Sequence, residues 1–503
     1  MIFNIKVNIK KLAVYSSISF LLLFFILRIF LVFSYSADIG GIENNVIYSI
    51  CKTIYGIPLY SDPEQGNYDI TQYTPLYYNF IIFICKILSV NPLDDLHSIY
   101  IIGRSVSLLL NIAGGIIIFG LLSKKFKIPK SISIISSSIY FLFLTRIQFA
   151  ARPDSLFSFL FILSISILCL FFIEENKKKR TVYFFAGLSI ASLSIFAKQT
   201  GIELLVFIPG FFLLTKDFKR FLLSAITLIS VTAFLYAFFS GIYGESFLKH
   251  SFGGINNGVI YFRAYDVFSH FFATSTLIFI AGTICSVLFF QKRRSTVSRF
   301  LSYTILFLFF FAFVTTAKEG SWINYYNEYI IAVLILSAIE INNLSHHFTM
   351  KDAVHRTALW SLVSAIILIM PVMILNKLFH EHFNHLKDTK TIFLEKQTAS
   401  KEIRQILDQN NGAYFLSFDA DINCMLADRS IVPQKDIVPA LTKFDYTGLY
   451  NALENGMVRY IILKTGEEPN SFLGKDFKDF SIRYDDGKYK LLENKSVKRK
   501  LPV

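Results

Sequence analysis

The chain has 503 residues, 53% hydrophobic and only 17% charged, with a mean hydropathy of +0.50; ordinary soluble domains carry roughly 25% charged residues, so a soluble globular protein is excluded. The net charge of +14 does not point to nucleic acid, because the excess Lys and Arg stand in short clusters between apolar runs and form no basic and aromatic groove. The five scattered cysteines (Cys51, Cys85, Cys169, Cys285, Cys424) indicate neither a disulfide framework nor a thiolate metal site.

At about 20 apolar residues per crossing, the sequence predicts about eleven transmembrane helices. They fall at 12–34, 99–122, 131–149, 155–173, 181–197, 201–215, 221–241, 270–290, 300–317, 327–344 and 357–376. The first run is too long for a signal peptide and lacks a small-residue cleavage site, so it reads as a retained span. With Lys6, Lys10 and Lys11 on the cytoplasmic side, "KKFKIPK" (124–130), "EENKKKR" (174–180), "KDFKR" (216–220), "QKRRSTVSR" (291–299) and 342–356 become inside loops. The longer outside loops hold only scattered Lys and Arg, as the positive-inside rule requires of a plasma-membrane protein in this orientation.

The first outside loop, 35–97, has apolar residues at helical spacing around 46–54 and 76–88. Both runs are too short to span and read as juxtamembrane helices. Between them "GIPLYSDPEQGNYDITQYTPLYY" (56–78) is a Pro-, Gly- and Tyr-rich loop at headgroup level. An odd number of crossings leaves 377–503 outside. Its charges of both signs, the strand-like "AYFLSF" (413–418) and "VRYIIL" (458–463), and the turn "DDGK" (485–488) describe a small α/β or α+β domain after a transmembrane domain of residues 1–376.

"SADIGGIE" (36–43) places Asp38 and Glu43 just beyond the first span. Asp38 could take a proton from an incoming nucleophile, or cap the first surface helix with Glu43 on its solvated face. The stretch "SYSADIGGIENNVIYSICKTIYGIPLYSD" (34–62) followed by "YTPLYY" (73–78) resembles the GT-C membrane glycosyltransferases, in particular the protein O-mannosyltransferase and aminoarabinose transferase (glycosyltransferase family 39-like) group. "ARPDS" (151–155), "AKQTG" (197–201) and "KEGSWINYYNEY" (318–329) resemble later segments of that group, and all three fall on the outside by the charge count.

The resemblance implies a GT-C fold and transfer of a sugar from a polyprenyl-phosphate donor to a lipid, glycan or protein acceptor at the outer face, in an inverting single displacement. It implies Asp38 as the catalytic base. Glu43 is less secure, because the group often shows Glu directly after the Asp and Ile39 stands there; Glu43, Asp154 and Tyr73 are candidates for acceptor contact or for support behind the site. Arg152, Lys198 and Lys318 would hold the donor phosphate, or snorkel to headgroups as basic residues at helix ends do.

Arg28 and Arg104 lie in or beside apolar spans, where a cation needs a partner; Asp38, Glu43 or Asp154 could supply it, and such a pair could equally be a fixed strut of the bundle. Tyr73, Tyr77 and Tyr325 could bond a sugar or belong to the aromatic belt. Some members of the group use a divalent ion, but no ligand set is evident. "HEHFNH" (380–385) puts His380 and His382 on different helical faces. "DADIN" (419–423) begins like a calcium loop but has Cys424 where Gly is needed and Ser430 where Glu is. The competing class is a lipid or solute transporter with an outer accessory domain. Against it, no internal repeat and no matched broken helices are visible.

Overall fold

The computed structural model describes residues 9–39, 41–253, 258–291, 294–347, 368–369, 371–376, 389–410, 414–431, 451, 458–467 and 480–494. The chain begins with α1 (Ile9–Val32), then two helices of the first loop, α2 (Glu43–Ile54) and α3 (Pro75–Ile87), and a long α4 (Pro92–Gly120). There follow α5 (Lys130–Ile147), α6 (Asp154–Ile173), α7 (Lys177–Ser194), α8 (Ile202–Leu214), α9 (Phe218–Tyr243), the single turn α10 (Glu245–Leu248), α11 (Tyr261–Val287), α12 (Thr296–Thr315) and α13 (Asn327–His347). Ten of the expected runs coincide with helices. Of the run at 357–376 only 368–369 and 371–376 are described, and they are helical.

Among the described residues, seven helical stretches are long and apolar enough to cross a membrane. The fold is that of a polytopic helical membrane protein. Side chains such as Phe30, Ile116 and Phe234 point outward from the bundle, as lipid contact demands when every backbone polar group is already paired within its own helix.

Local sequence explains where the helices start. Asn91 accepts from the Leu93 amide, with Pro92 at the first position of α4. Asn176, Asp217 and Ser295 cap α7, α9 and α12 in the same manner. Helix packing is sequential in part, with α6 against α7 and α8 against α9, and crossed in part, with α1 against α5 and α13 against α5. One continuous apolar core results, in which Phe161, Ile165, Phe207, Phe300 and Ile331 are buried.

After the bundle, helix Thr389–Asp408, the short helix Ala420–Met425 and four strands follow: β1 (Tyr414–Ser417), β2 (Val458–Lys464), β3 (Phe480–Asp485) and β4 (Tyr489–Asn494). The sheet order is β1-β2-β4-β3. The β1–β2 pair is parallel and the other two pairs are antiparallel. The "DDGK" turn joins β3 to β4, with Gly487 at φ 81°. Helix Ala420–Met425 packs on α2 and α4. Its N-terminus is capped by Asp419, which also pairs with Lys396 at 3.0 Å, so the "DADIN" carboxylates serve a helix cap and ion pairs.

Candidate active site

Residues 36–39 and 41–42, just before the start of α2, are irregular. Asp38, Gly41 and Ile42 all have positive φ (51°, 61° and 67°); this is tolerable for Asp and Gly and strained for β-branched Ile. Arg104, fully buried in α4, holds the turn from below. Its Nη1 donates to Ser34 O at 2.8 Å and its Nη2 to Ser36 O at 2.7 Å. Nε and Nη2 grip the Glu43 carboxylate at 2.9 and 2.8 Å. Glu43 also accepts from the amides of Ile39 (3.2 Å) and Ala151 (2.7 Å), so both of its oxygens are used.

Asp38 and Glu43 therefore divide the work differently from either sequence expectation. Ile42 holds the N-cap position of α2 and makes no side-chain cap, but the Glu43 amide donates to Asp38 Oδ1 at 2.7 Å, so Asp38 satisfies the start of the helix from outside it. Glu43 is not on a solvated face, nor does it reach a cavity where an acceptor could touch it; it is fully buried and ties 36–43 to α4 and to residue 151. Asp38 itself is half-buried and lines a cavity, so this bond does not remove it from the site. Burial and the Glu43 charge raise its pKa above the ordinary Asp value, against the amides of Glu43 and Asn44 and the charge of Arg152, which lower it.

That cavity, of about 490 Å³, lies at one end of the bundle and is lined by Asp38, Tyr73, Arg152, Lys198, Lys318 and Tyr325 among others. Asp154, at the start of α6, stands behind it. Lys198 Nζ reaches Asp154 Oδ1 at 2.7 Å, Arg152 Nε lies 3.2 Å from Oδ2, and Asn324 Nδ2 donates at 2.7 Å. Asp154 thus pairs with two cations that line the cavity and does not line it itself. Burial disfavours the charges on Lys198 and Arg152, but Asp154 outweighs it and both pKa values rise above the ordinary ones. Lys318 has no such partner among the described residues, and burial together with the Lys198 charge pushes its pKa down to about 8. The Lys198 ammonium also sits over the Tyr325 ring at 4.9 Å.

A second, apolar groove of about 740 Å³ adjoins the first, sharing Tyr73, Lys198, Lys318 and Tyr325 with it and continuing along Ile202, Tyr265, Phe311 and Val314. Cations thus stand at the junction of a polar chamber and a greasy channel. Such a junction suits an anionic headgroup with a long apolar tail.

Other expectations fail. Arg28 is completely buried in α1 and meets none of Asp38, Glu43 or Asp154; its three guanidinium nitrogens have no hydrogen-bond partner among the described residues. It lies four residues, about 6 Å of rise, inside the end of α1, and its helix turns it toward Tyr140 of α5. Tyr77 points away from the cavity, donating to Gly103 O at 3.1 Å and meeting Ser107 Oγ at 3.2 Å, so it packs α3 on α4. The "HEHFNH" run lies outside the described residues. Sequence reasoning missed Asn45, Gln72, Glu319, Trp322 and Asn324 in the cavity wall. It also missed the buried carboxylates Glu203 and Glu328, the latter accepting from Ser158 Oγ at 2.7 Å.

No protein-family model matches the chain, and no curated protein matches it significantly by sequence. Solved structures do. ArnT from Cupriavidus metallidurans bound to undecaprenyl phosphate superposes with a TM-score of 0.59 at 12% identity, covering 95% of this chain and 99% of ArnT. The Archaeoglobus fulgidus oligosaccharyltransferase AglB, in complex with an inhibitory peptide and a dolichol-phosphate, gives 0.56 at 13% identity over 90% of this chain and 69% of AglB. Both belong to the GT-C superfamily.

The chain has the GT-C fold.

A further structure of the Archaeoglobus enzyme is a complex with Zn and sulfate (TM-score 0.52, 15% identity, 88% of this chain and 68% of that one). In this chain no three His, Cys, Asp or Glu side chains come together to hold a metal among the described residues. Asp38 stands instead among Arg152, Lys198 and Lys318, a set that suits an anion rather than a divalent cation.

Proposed function

We propose that the chain is a membrane glycosyltransferase that moves a sugar from a polyprenyl-phosphate donor to an acceptor at the outer face of a plasma membrane. The observation that carries this reading is the junction described above: Asp38 in a polar chamber, Arg152, Lys198 and Lys318 in its walls, and an apolar groove leading away past Lys198 and Lys318. A polyprenyl chain fits the groove, its phosphate the cations, and the sugar the chamber. ArnT and AglB, named in complex with undecaprenyl phosphate and dolichol-phosphate, lend support through the shared fold.

In the reaction, Asp38 takes the proton of an acceptor hydroxyl as its oxygen attacks the anomeric carbon from the face opposite the phosphate. The bond between that carbon and the phosphate oxygen breaks, and its electron pair leaves on the phosphate. Arg152, Lys198 and Lys318 stabilise the charge that appears there. One displacement inverts the configuration and needs no covalent enzyme intermediate. The N-terminus is then cytoplasmic; residues 1–376 form the catalytic membrane domain, and 377–503 an extracytoplasmic domain that covers the chamber or helps select the acceptor.

The test is release or transfer of sugar from a radiolabelled undecaprenyl-phosphate sugar by the purified chain in lipid nanodiscs. Asp38→Asn is expected to abolish turnover while bare undecaprenyl phosphate still binds. Full turnover by the Asn variant would overturn the assignment. Lipid movement across the bilayer without turnover would favour the transporter reading.

A further inference from the structure

Two buried polar atoms in the chamber wall have no partner among the described residues. Asn45 on α2 and Gln72 just before α3 are 7% and 9% exposed, and Asn45 Nδ2 and Gln72 Oε1 lack a hydrogen-bond partner there. Their backbones are pinned: Ser49 Oγ donates to Asn45 O at 3.0 Å and Gln199 Nε2 to Gln72 O at 2.8 Å. Leaving a buried donor and a buried acceptor unpaired costs stability. Both residues line the polar chamber with Asp38, and neither lines the apolar groove. An unused donor and an unused acceptor in one cavity wall complement a hydroxyl-bearing molecule, since each hydroxyl both donates and accepts.

We propose that Asn45 and Gln72 form the subsite for the donor's sugar ring, Asn45 Nδ2 donating to a ring or hydroxyl oxygen and Gln72 Oε1 accepting from a hydroxyl. The proposal rests on the polyprenyl-phosphate reading above. A sugar attached directly to a phosphate held by Lys198 and Lys318 has only the rest of the same chamber to occupy. Trp322, 41% exposed at that chamber, offers a flat face to the ring's C–H side. The subsite selects a neutral hydroxylated ring: with Arg152, Lys198 and Lys318 engaged by the donor phosphate, Asp38 and Glu319, which line the same chamber, repel a ring carboxylate. A site built to pair a hydroxyl penalises a ligand that leaves its groups unpaired, which makes these two amides determinants of which sugar is transferred.

The sequence holds two tryptophans, Trp322 and Trp360, so in a Trp360→Phe background Trp322 fluorescence reports on the chamber. The full-length chain in nanodiscs is titrated with undecaprenyl phosphate and with undecaprenyl phosphate carrying glucose, mannose, galactose, arabinose or glucuronic acid. At least one neutral glycosylated lipid is expected to bind about tenfold more tightly than the bare lipid, and the glucuronic acid form to gain nothing. Asn45→Ala and Gln72→Ala are each expected to erase about fivefold to tenfold of that preference, the worth of one hydrogen bond, with bare-lipid affinity unchanged. Asn45→Asp, which swaps the donor for an acceptor, should also lose it, and Gln72→Glu, which keeps an acceptor, should retain it. The subsite is overturned if no neutral sugar is preferred over the bare lipid, or if the variants weaken bare and glycosylated lipids alike. Failure of the native chain to bind bare undecaprenyl phosphate would overturn the donor reading beneath it.

Discussion

The Glu43 amide donates to Asp38 Oδ1 at 2.7 Å, while the Glu43 carboxylate turns the other way into the Arg104 guanidinium at 2.8 Å. One residue orients the candidate base with its backbone and anchors the whole turn with its side chain. Removing the anchor's charge leaves Arg104 buried and uncompensated, which costs about 3–5 kcal/mol when one member of a buried pair is lost. Glu43→Gln is therefore expected to lower the melting temperature in detergent markedly and to reduce turnover with it. An unchanged melting temperature would show that the pair does not hold the turn.

The pH dependence of turnover has two sides. Asp38 must be ionised to accept a proton, and its pKa is raised, so activity rises with pH through a value above the ordinary Asp one. Lys318, pushed down to about 8, loses its charge as pH rises through that value, so kcat/KM falls on the alkaline side. Lys318→Arg stays charged and is expected to move the alkaline limb up by more than about one pH unit, leaving the acid limb in place. A fixed alkaline limb would exclude Lys318 as the group responsible.

Asp154 holds Lys198 and Arg152 charged and aimed. In Asp154→Asn the burial of Lys198 is no longer opposed, so its pKa falls and its charge is lost at lower pH. The expected result is a KM for the lipid donor raised about tenfold or more, with an alkaline limb shifted to lower pH. A changed kcat at constant donor KM would contradict the aiming role.

Gly103 of α4 lies against the loop that carries Arg152. A Cβ added there would come within 2.6 Å of Ala151 Cβ, and overpacking of this kind costs about 1–3 kcal/mol. Gly103→Ala should lower both stability and turnover, and adding Ala151→Gly should recover most of each. A neutral Gly103→Ala would mean that the α4 approach to residue 151 is loose.

Long apolar runs made the bundle legible, because lipid imposes a minimum length on any helix that crosses it. Boundaries were less so: the 99–122 run begins inside α4, whose polar first turns (Asp94, Asp95) carry no hydropathy signal. The gathering of Asp38, Arg152, Lys198 and Lys318 at one cavity was foreseeable from chain order, since alternate helix ends face the same side. Rotation about each helix axis was not, which is why Arg28 and Tyr77 face elsewhere. Asn45, Gln72 and Trp322 escaped notice because loop and surface-helix polar residues show no periodicity that separates a cavity wall from a solvated face.

Tyr48 of α2 donates to the carbonyl of Ala427, 379 residues away, with Tyr55 and Asn67 reaching Met425 and Ala427 beside it. A nascent chain thus makes α2 early, and the partner surface emerges only 379 residues after Tyr48. Pairings of such separation are slow to form and leave apolar surface uncovered meanwhile. Docking of α2 onto residues 425–427 is accordingly a late step in folding.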